Sequence, residues 1–141
     1  MSDGTYAGDV TPKQAWDILK TEPGAVLVDV RTDAEWSYVG LPDLKALGKE
    51  ARLIPWKLFP TGQVNPAFTD QLLALAIPKD ATVLFLCRSG VRSIAAAQAA
   101  TKAGYTRALN VAEGFEGDKD AAGHRGTVGG WKVAGLPWGQ G

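Results

Sequence analysis

Apolar residues fall along this chain in short unbroken runs, and these alternate with stretches of helical period. Residues 25–30 (Ala-Val-Leu-Val-Asp-Val) and 82–86 (Thr-Val-Leu-Phe-Leu) are apolar on both faces and rich in β-branched side chains, which predicts buried parallel strands. Residues 108–111 read as a further strand, and Leu53-Ile54, just before Pro55, as a brief one. Thr11-Pro12 offers a helix cap followed by proline at the first helical position. Ala15, Ile18 and Leu19 then share a face, so the spacing predicts a helix that stops near residues 21–24. Asn65-Pro66 repeats the signal ahead of Phe68, Leu72, Leu73, Leu75 and Ala76, and predicts an amphipathic helix ending before Pro78. A third helix is expected from Ser93 to about Ala103, with Gly104 as its left-handed stop. Asp33 is placed to cap a helical turn through Glu35 and Trp36. Residues 40–52 carry no clear period, and residues 113–117 read as a glycine-punctuated turn.

Strands that alternate with helices, and that are apolar on both faces, ask for an α/β fold. The expectation is a three-layer domain with a mostly parallel central sheet of about five strands, flanked by helices on both faces. Residues 1–141 fit one such domain. Residues 1–8 are expected as a flexible N-terminus, and 118–141 as a glycine-rich tail packed on the domain through Trp131, Leu136 and Trp138. Composition adds exclusions more than assignments. The 141 residues are 45% hydrophobic with a formal net charge of +0, so a normal core forms and bulk charge names no partner. Without a lysine-rich run, nucleic acid is a poor candidate, and no long uncharged apolar stretch suggests a membrane span. The first residues carry no basic segment followed by an apolar one, and a single cysteine rules out an internal disulfide. A cytoplasmic location is the expectation.

That cysteine, Cys87, changes the picture. It stands directly after the apolar run 82–86 and opens the stretch Cys87-Arg88-Ser89-Gly90-Val91-Arg92-Ser93, with a helical segment behind it. Ligands of parallel sheets bind at the carboxyl ends of strands, and Cys87 sits at one. The thiolate is the nucleophilic form of cysteine. A helix N-terminus, the charges of Arg88 and Arg92, and a loop that Gly90 allows to curl all favour it. Any one of these features alone is better read as plain packing, where a lone cysteine is most often a small buried apolar residue. The combination points to chemistry.

These residues resemble a known family. Cys87 to Ser93 is similar to the active-site loop of rhodanese-like sulfurtransferases, in which a cysteine, four intervening residues and an arginine precede serine or threonine. Asp29-Val30-Arg31 followed by Glu35-Trp36 resembles the family's upstream Asp-x-Arg segment and its acidic-aromatic pair. Gly130-Trp131-Lys132 and Gly135-Leu136-Pro137-Trp138 are similar to its common ending, so the likeness runs from about residue 9 to 138. One segment departs from the pattern. Where many members carry Gly-His-Ile-x-Gly-Ala, this chain reads Val39-Gly40-Leu41-Pro42-Asp43-Leu44, without the histidine and with a longer connection to Leu53.

The resemblance implies that Cys87 takes a sulfane sulfur from thiosulfate or a similar small anionic donor as a persulfide. A thiol or cyanide then removes it, and a protein sulfur acceptor is compatible with the same chemistry. No metal and no organic cofactor are implied. Cys87 is the expected nucleophile. Arg88, Ser89, Gly90, Val91 and Arg92 are expected to shape an anion cradle with their backbone N–H groups. Ser93 either caps the helix or bonds to the sulfur. Arg92 is expected to brace the loop by pairing with Asp29, and Arg31 to anchor structure. Three rivals follow from the same residues, and one of them, an arsenate reductase of similar fold, is disfavoured because no second cysteine exists to resolve an intermediate. A phosphatase of related fold needs a loop one residue longer, and a docking module without turnover usually lacks the cysteine or the charges. His124, the only histidine, sits among Gly123, Arg125 and Gly126, a surface loop rather than a general base. The five tryptophans are scattered and read as core and lid.

Overall fold

The strand at residues 82–86 is apolar throughout because it is buried on both faces, and this fixes its place at the middle of a sheet. The computed structural model describes residues 6–32, 35–36, 40–57, 63–88, 92–117, 130–132 and 134–139. In chain order the strands are β1 (Gly8–Val10), β2 (Val26–Asp29), β3 (Leu41–Pro42), β4 (Arg52–Leu53), β5 (Thr82–Leu86), β6 (Arg107–Val111) and β7 (Trp138–Gly139). Among the described residues, the longer helices between them are α1 (Pro12–Thr21), α2 (Phe68–Ala74) and α3 (Arg92–Lys102), with a short 3-10 turn at Lys45–Leu47. Five strands form one sheet in the order β1-β6-β5-β2-β4, with every neighbouring pair parallel. β3 and β7 pair separately and antiparallel.

Alternate residues of the central strands feed two cores. Val28, Val83 and Phe85 meet Phe68 and Leu72 of α2 and Ala96, Ala97 and Ala100 of α3. Leu27, Leu84 and Leu86 point the other way, to Ala15 and Leu19 of α1 and to Phe115, Trp131 and Leu136. This is a three-layer α/β fold with helices on both faces, as the pattern predicts.

The local signals act with some displacement. Thr11 caps α1 in a full capping box: its hydroxyl accepts from the Gln14 N–H, and the Gln14 side chain accepts from the Thr11 N–H. Asn65, by contrast, does not cap α2. Its carboxamide oxygen accepts from the Ala67 N–H and its nitrogen donates to Pro55 O and Gln71 Oε1, so the asparagine closes a turn and α2 begins only at Phe68. The turn at Glu35 and Trp36 is capped by Thr32, which exchanges hydrogen bonds with Glu35; Asp33 lies outside the described residues. Leu53 belongs to β4, which starts one residue earlier than the sequence suggests. In the tail, Trp131 is fully buried and Leu136 nearly so. Trp138 is 41% exposed, its ring stacked edge-on against Phe115 instead of buried.

Candidate active site

Cys87 follows the last residue of β5, so the thiol lies at the carboxyl edge of the central strand. Its backbone is tied from both sides. Val30 N–H donates to the carbonyl of neighbouring Leu86, and Phe115 N–H donates to that of Cys87 itself at 2.8 Å. The Arg88 carbonyl accepts from the N–H groups of Glu116 and Gly117 at 2.9 and 3.1 Å. The turn at 113–117 thus clasps the peptide that carries the sulfur. Gly114 makes the clasp possible. Its φ is +61°, and a Cβ there would stand 2.5 Å from the Cys87 carbonyl oxygen.

α3 brings the second group. Its buried positions are Ser93, Ala96, Ala97 and Ala100, a stripe of small residues that lets the helix lie close against the sheet. Ser93 opens this stripe in the first turn. Its Oγ is 3.3 Å from Cys87 Sγ and donates to Asn110 Oδ1 on β6. Of the two roles open to Ser93 in the sequence, contact with the sulfur is the one its hydroxyl takes.

The charged residues sort differently from the expectation. Arg92 does not pair with Asp29. It forms a two-pronged ion pair with Glu35, Nη1 to Oε1 at 2.7 Å and Nη2 to Oε2 at 2.8 Å. Asp29 is taken by its own neighbour: Arg31 Nε and Nη2 reach its carboxylate at 2.9 and 2.6 Å, and the Arg31 N–H adds a third donor at 3.1 Å. Both side chains are fully buried. Arg31 Nη2 also holds Gly40 O at 2.7 Å, while Nη1 makes no hydrogen bond among the described residues and the guanidinium lies 4.2 Å from the Phe115 ring centre. A cation against an aromatic face explains how that donor is tolerated.

Burial pushes the Glu35 carboxyl up, but the hydrogen bonds and charge of Arg92, with help from Thr32, outweigh it and hold Glu35 below its ordinary value of 4.5. Burial works against the Arg92 charge too. Glu35 overcomes it, with smaller contributions from Cys87 and Asp29, so Arg92 stays firmly protonated. Arg88, next to Cys87 in the chain, is exposed. Ser89, Gly90, Val91 and His124 lie outside the described residues, and so does the geometry of the expected cradle.

Glu35, Asn110, Gly114 and Phe115 therefore join the site, although the sequence does not single them out as functional. Glu35 had a signal in its place within the acidic-aromatic pair. Asn110 had a fainter one, as a polar residue inside an apolar strand. Among the described residues no cluster suits a metal ion, and no helix is long and apolar enough to cross a membrane. A cavity lined by Pro23, Gly24, Leu44, Lys49 and Arg52 opens at the opposite end of β2, away from Cys87.

The family model described as the STR4 middle domain matches residues 7–141. The chain is a single rhodanese-like domain of that family. It is similar to the crystal structure of Rv0390 from M. tuberculosis, at 54% identity and a TM-score of 0.90, covering 97% of this chain and 100% of that one. An uncharacterized Rickettsia rickettsii protein, the RP600 homolog, is 38% identical over 92% of this chain and 95% of its own length. The probable adenylyltransferase/sulfurtransferase MoeZ of Mycobacterium tuberculosis is 32% identical over 75% of this chain, which matches 23% of MoeZ. A rhodanese-like domain with one cysteine, at the carboxyl end of its central strand, is consistent with a sulfurtransferase-type site.

Proposed function

We propose that the domain is a sulfurtransferase that moves a sulfane sulfur from thiosulfate, or a similar small anionic donor, to a thiophilic acceptor. The Cys87 thiolate attacks the outer sulfur of the donor; the donor's S–S bond breaks and sulfite leaves with the electron pair. The terminal sulfur of the resulting persulfide is then attacked by cyanide or a thiolate. Thiocyanate or an acceptor persulfide departs, and the Cys87 thiolate is restored. No external oxidant or reductant enters, and no metal or organic cofactor takes part. Two covalent half-reactions predict ping-pong kinetics.

The observation that carries this reading is the position of Cys87 at the carboxyl end of β5, with the Ser93 hydroxyl 3.3 Å from its sulfur, exposed Arg88 next in the chain and Arg92 clamped by Glu35. Arg88 is suited to drawing in an anionic donor, and Arg92 to holding the far end of the loop. The proposed cradle comprises the N–H groups of Arg88, Ser89, Gly90, Val91 and Arg92.

Intact-protein mass after brief incubation of reduced protein with thiosulfate tests the first step. A gain of about one sulfur atom, removed by cyanide and absent in Cys87→Ser, is the expected result. No adduct on folded, reduced protein overturns the thiosulfate reading. An adduct that forms but is discharged only by thiols, never by cyanide, favours a persulfide carrier serving a protein acceptor.

A further inference from the structure

A file of hydrogen bonds leads away from the sulfur through the sheet. Ser93 Oγ, beside Cys87 Sγ, donates to Asn110 Oδ1. Asn110 Nδ2 donates to Asp9 Oδ1 at 3.0 Å, and the Tyr6 hydroxyl donates to the same oxygen at 2.9 Å. Asp9 and Asn110 face each other in register across the β1–β6 pair. Ser93 and Asn110 are buried, whereas Asp9 is exposed. We propose that Asn110, oriented by Asp9, is a positioning residue that decides which way the Ser93 hydroxyl points its proton, and so restrains the reactivity of Cys87. The proposal rests on the reading of Cys87 as the nucleophile.

The argument is one of donors and acceptors. A carboxylate only accepts, so Asp9 draws the nitrogen end of the Asn110 amide and leaves the oxygen end toward Ser93. A hydroxyl has one proton, and that oxygen takes it. What Ser93 then offers the sulfur is a lone pair, which suits a thiol and repels a thiolate. To support the thiolate, Ser93 must swing its proton from Asn110 to the sulfur and give up the bond to Oδ1. Tyr6 reinforces the lock: its hydrogen bond to Asp9, followed by burial and the Asp9 charge, holds its hydroxyl above the ordinary value, so it remains a donor. Among the described residues, the charged groups nearest the thiol are Arg88 next in the chain, Arg92 on α3 with its partner Glu35, and the Asp29–Arg31 pair at the end of β2. None of them changes when Asn110 becomes alanine.

The test is the pH profile of Cys87 alkylation by iodoacetamide in the reduced, full-length protein. Asn110→Ala frees Ser93 to donate to the sulfur. The profile is expected to move to lower pH, with alkylation on the order of tenfold faster at its acidic end, the size of a hydrogen bond to a charged acceptor. In a Ser93→Ala background the same change should add nothing, because the hydroxyl it acts through is gone. Asp9 supplies a second pair of variants at an exposed position, safe if the buried substitution harms folding. Asp9→Ala releases the amide and should shift the profile as Asn110→Ala does. Asp9→Asn removes the same charge but keeps an acceptor oxygen, and should return the profile most of the way to the parent's. Coincident or upward-shifted profiles for Asn110→Ala and Asp9→Ala overturn the proposal, as does an undiminished gain in the Ser93→Ala background. No sulfur donor is present in this assay. A missing thiosulfate adduct beside a displaced profile therefore sinks the donor reading alone, and a normal adduct beside a fixed profile sinks only the positioning role.

Discussion

Asp29 and Arg31 are charges with no access to water, and such a pair is stable only when nearly every polar atom is engaged. Asp29 accepts from one backbone and two side-chain nitrogens of Arg31, which also grips Gly40 O and lies on Phe115. The pair ties the end of β2 to the start of β3 and to the turn that clasps Cys87. Asp29→Asn keeps the volume and removes the charge, leaving a buried guanidinium uncompensated. The expected loss is about 3–5 kcal/mol in urea unfolding with an unchanged denaturant slope. A loss below about 1 kcal/mol, the range of an exposed pair, would contradict this account. The sequence holds both residues two positions apart, at a spacing that places them on one side of an extended chain. It also offers Arg92 as an equally charged partner, and only the fold shows that Glu35 has claimed it.

Between elements, the two-pronged Glu35–Arg92 pair staples the first residue of α3 to the helical turn that follows β2. Glu35 releases its proton more readily in the folded chain than in the unfolded one. The staple therefore stabilises fully above the ordinary carboxyl value of 4.5, and that contribution is lost as the pH falls through the lower folded value. Glu35→Gln should cost about 1–3 kcal/mol near neutral pH, between exposed and buried pairs. Stability measured in urea across an acid series should show parent and variant converging below 4.5; curves that stay parallel would remove the ion pair from the account. The same scale explains what the sequence discloses. α1, β2, β5, α3 and β6 are legible because period, cap and apolar run are local properties. β1 is not: Gly8-Asp9-Val10 has no pattern, and it is a strand because β6 offers it an open edge. β3 and β7 are two-residue partners about a hundred positions apart, a pairing that no window along the chain can hold. Cys87, Arg92 and Ser93 are legible through one short motif, whereas Glu35, Asn110 and Gly114 reach the site across 57, 17 and 27 positions respectively from Arg92, Ser93 and Cys87.

Across the whole molecule, the sheet order puts β5 third of five, so its carboxyl end is the middle of the sheet edge. Cys87 receives α3 on one side and the Phe115 turn on the other, and is only 1% exposed. A nucleophile enclosed in this way discriminates by size before it discriminates by chemistry, which is why a small anion is the donor we propose. The expectation can be measured without any donor. Reduced protein is treated with iodoacetamide, a small reagent, and separately with a bulky aromatic disulfide, each in native buffer and in denaturant. If enclosure governs access, folding slows the bulky reagent more than the small one, by a further factor on the order of tenfold, since a buried thiol reacts only as far as the fold admits the reagent. Equal slowing of the two would mean that both wait for the same opening of the fold. In that case global or local unfolding, not a size-limited entrance, would control every reaction of Cys87, and small donors would hold no advantage over large ones.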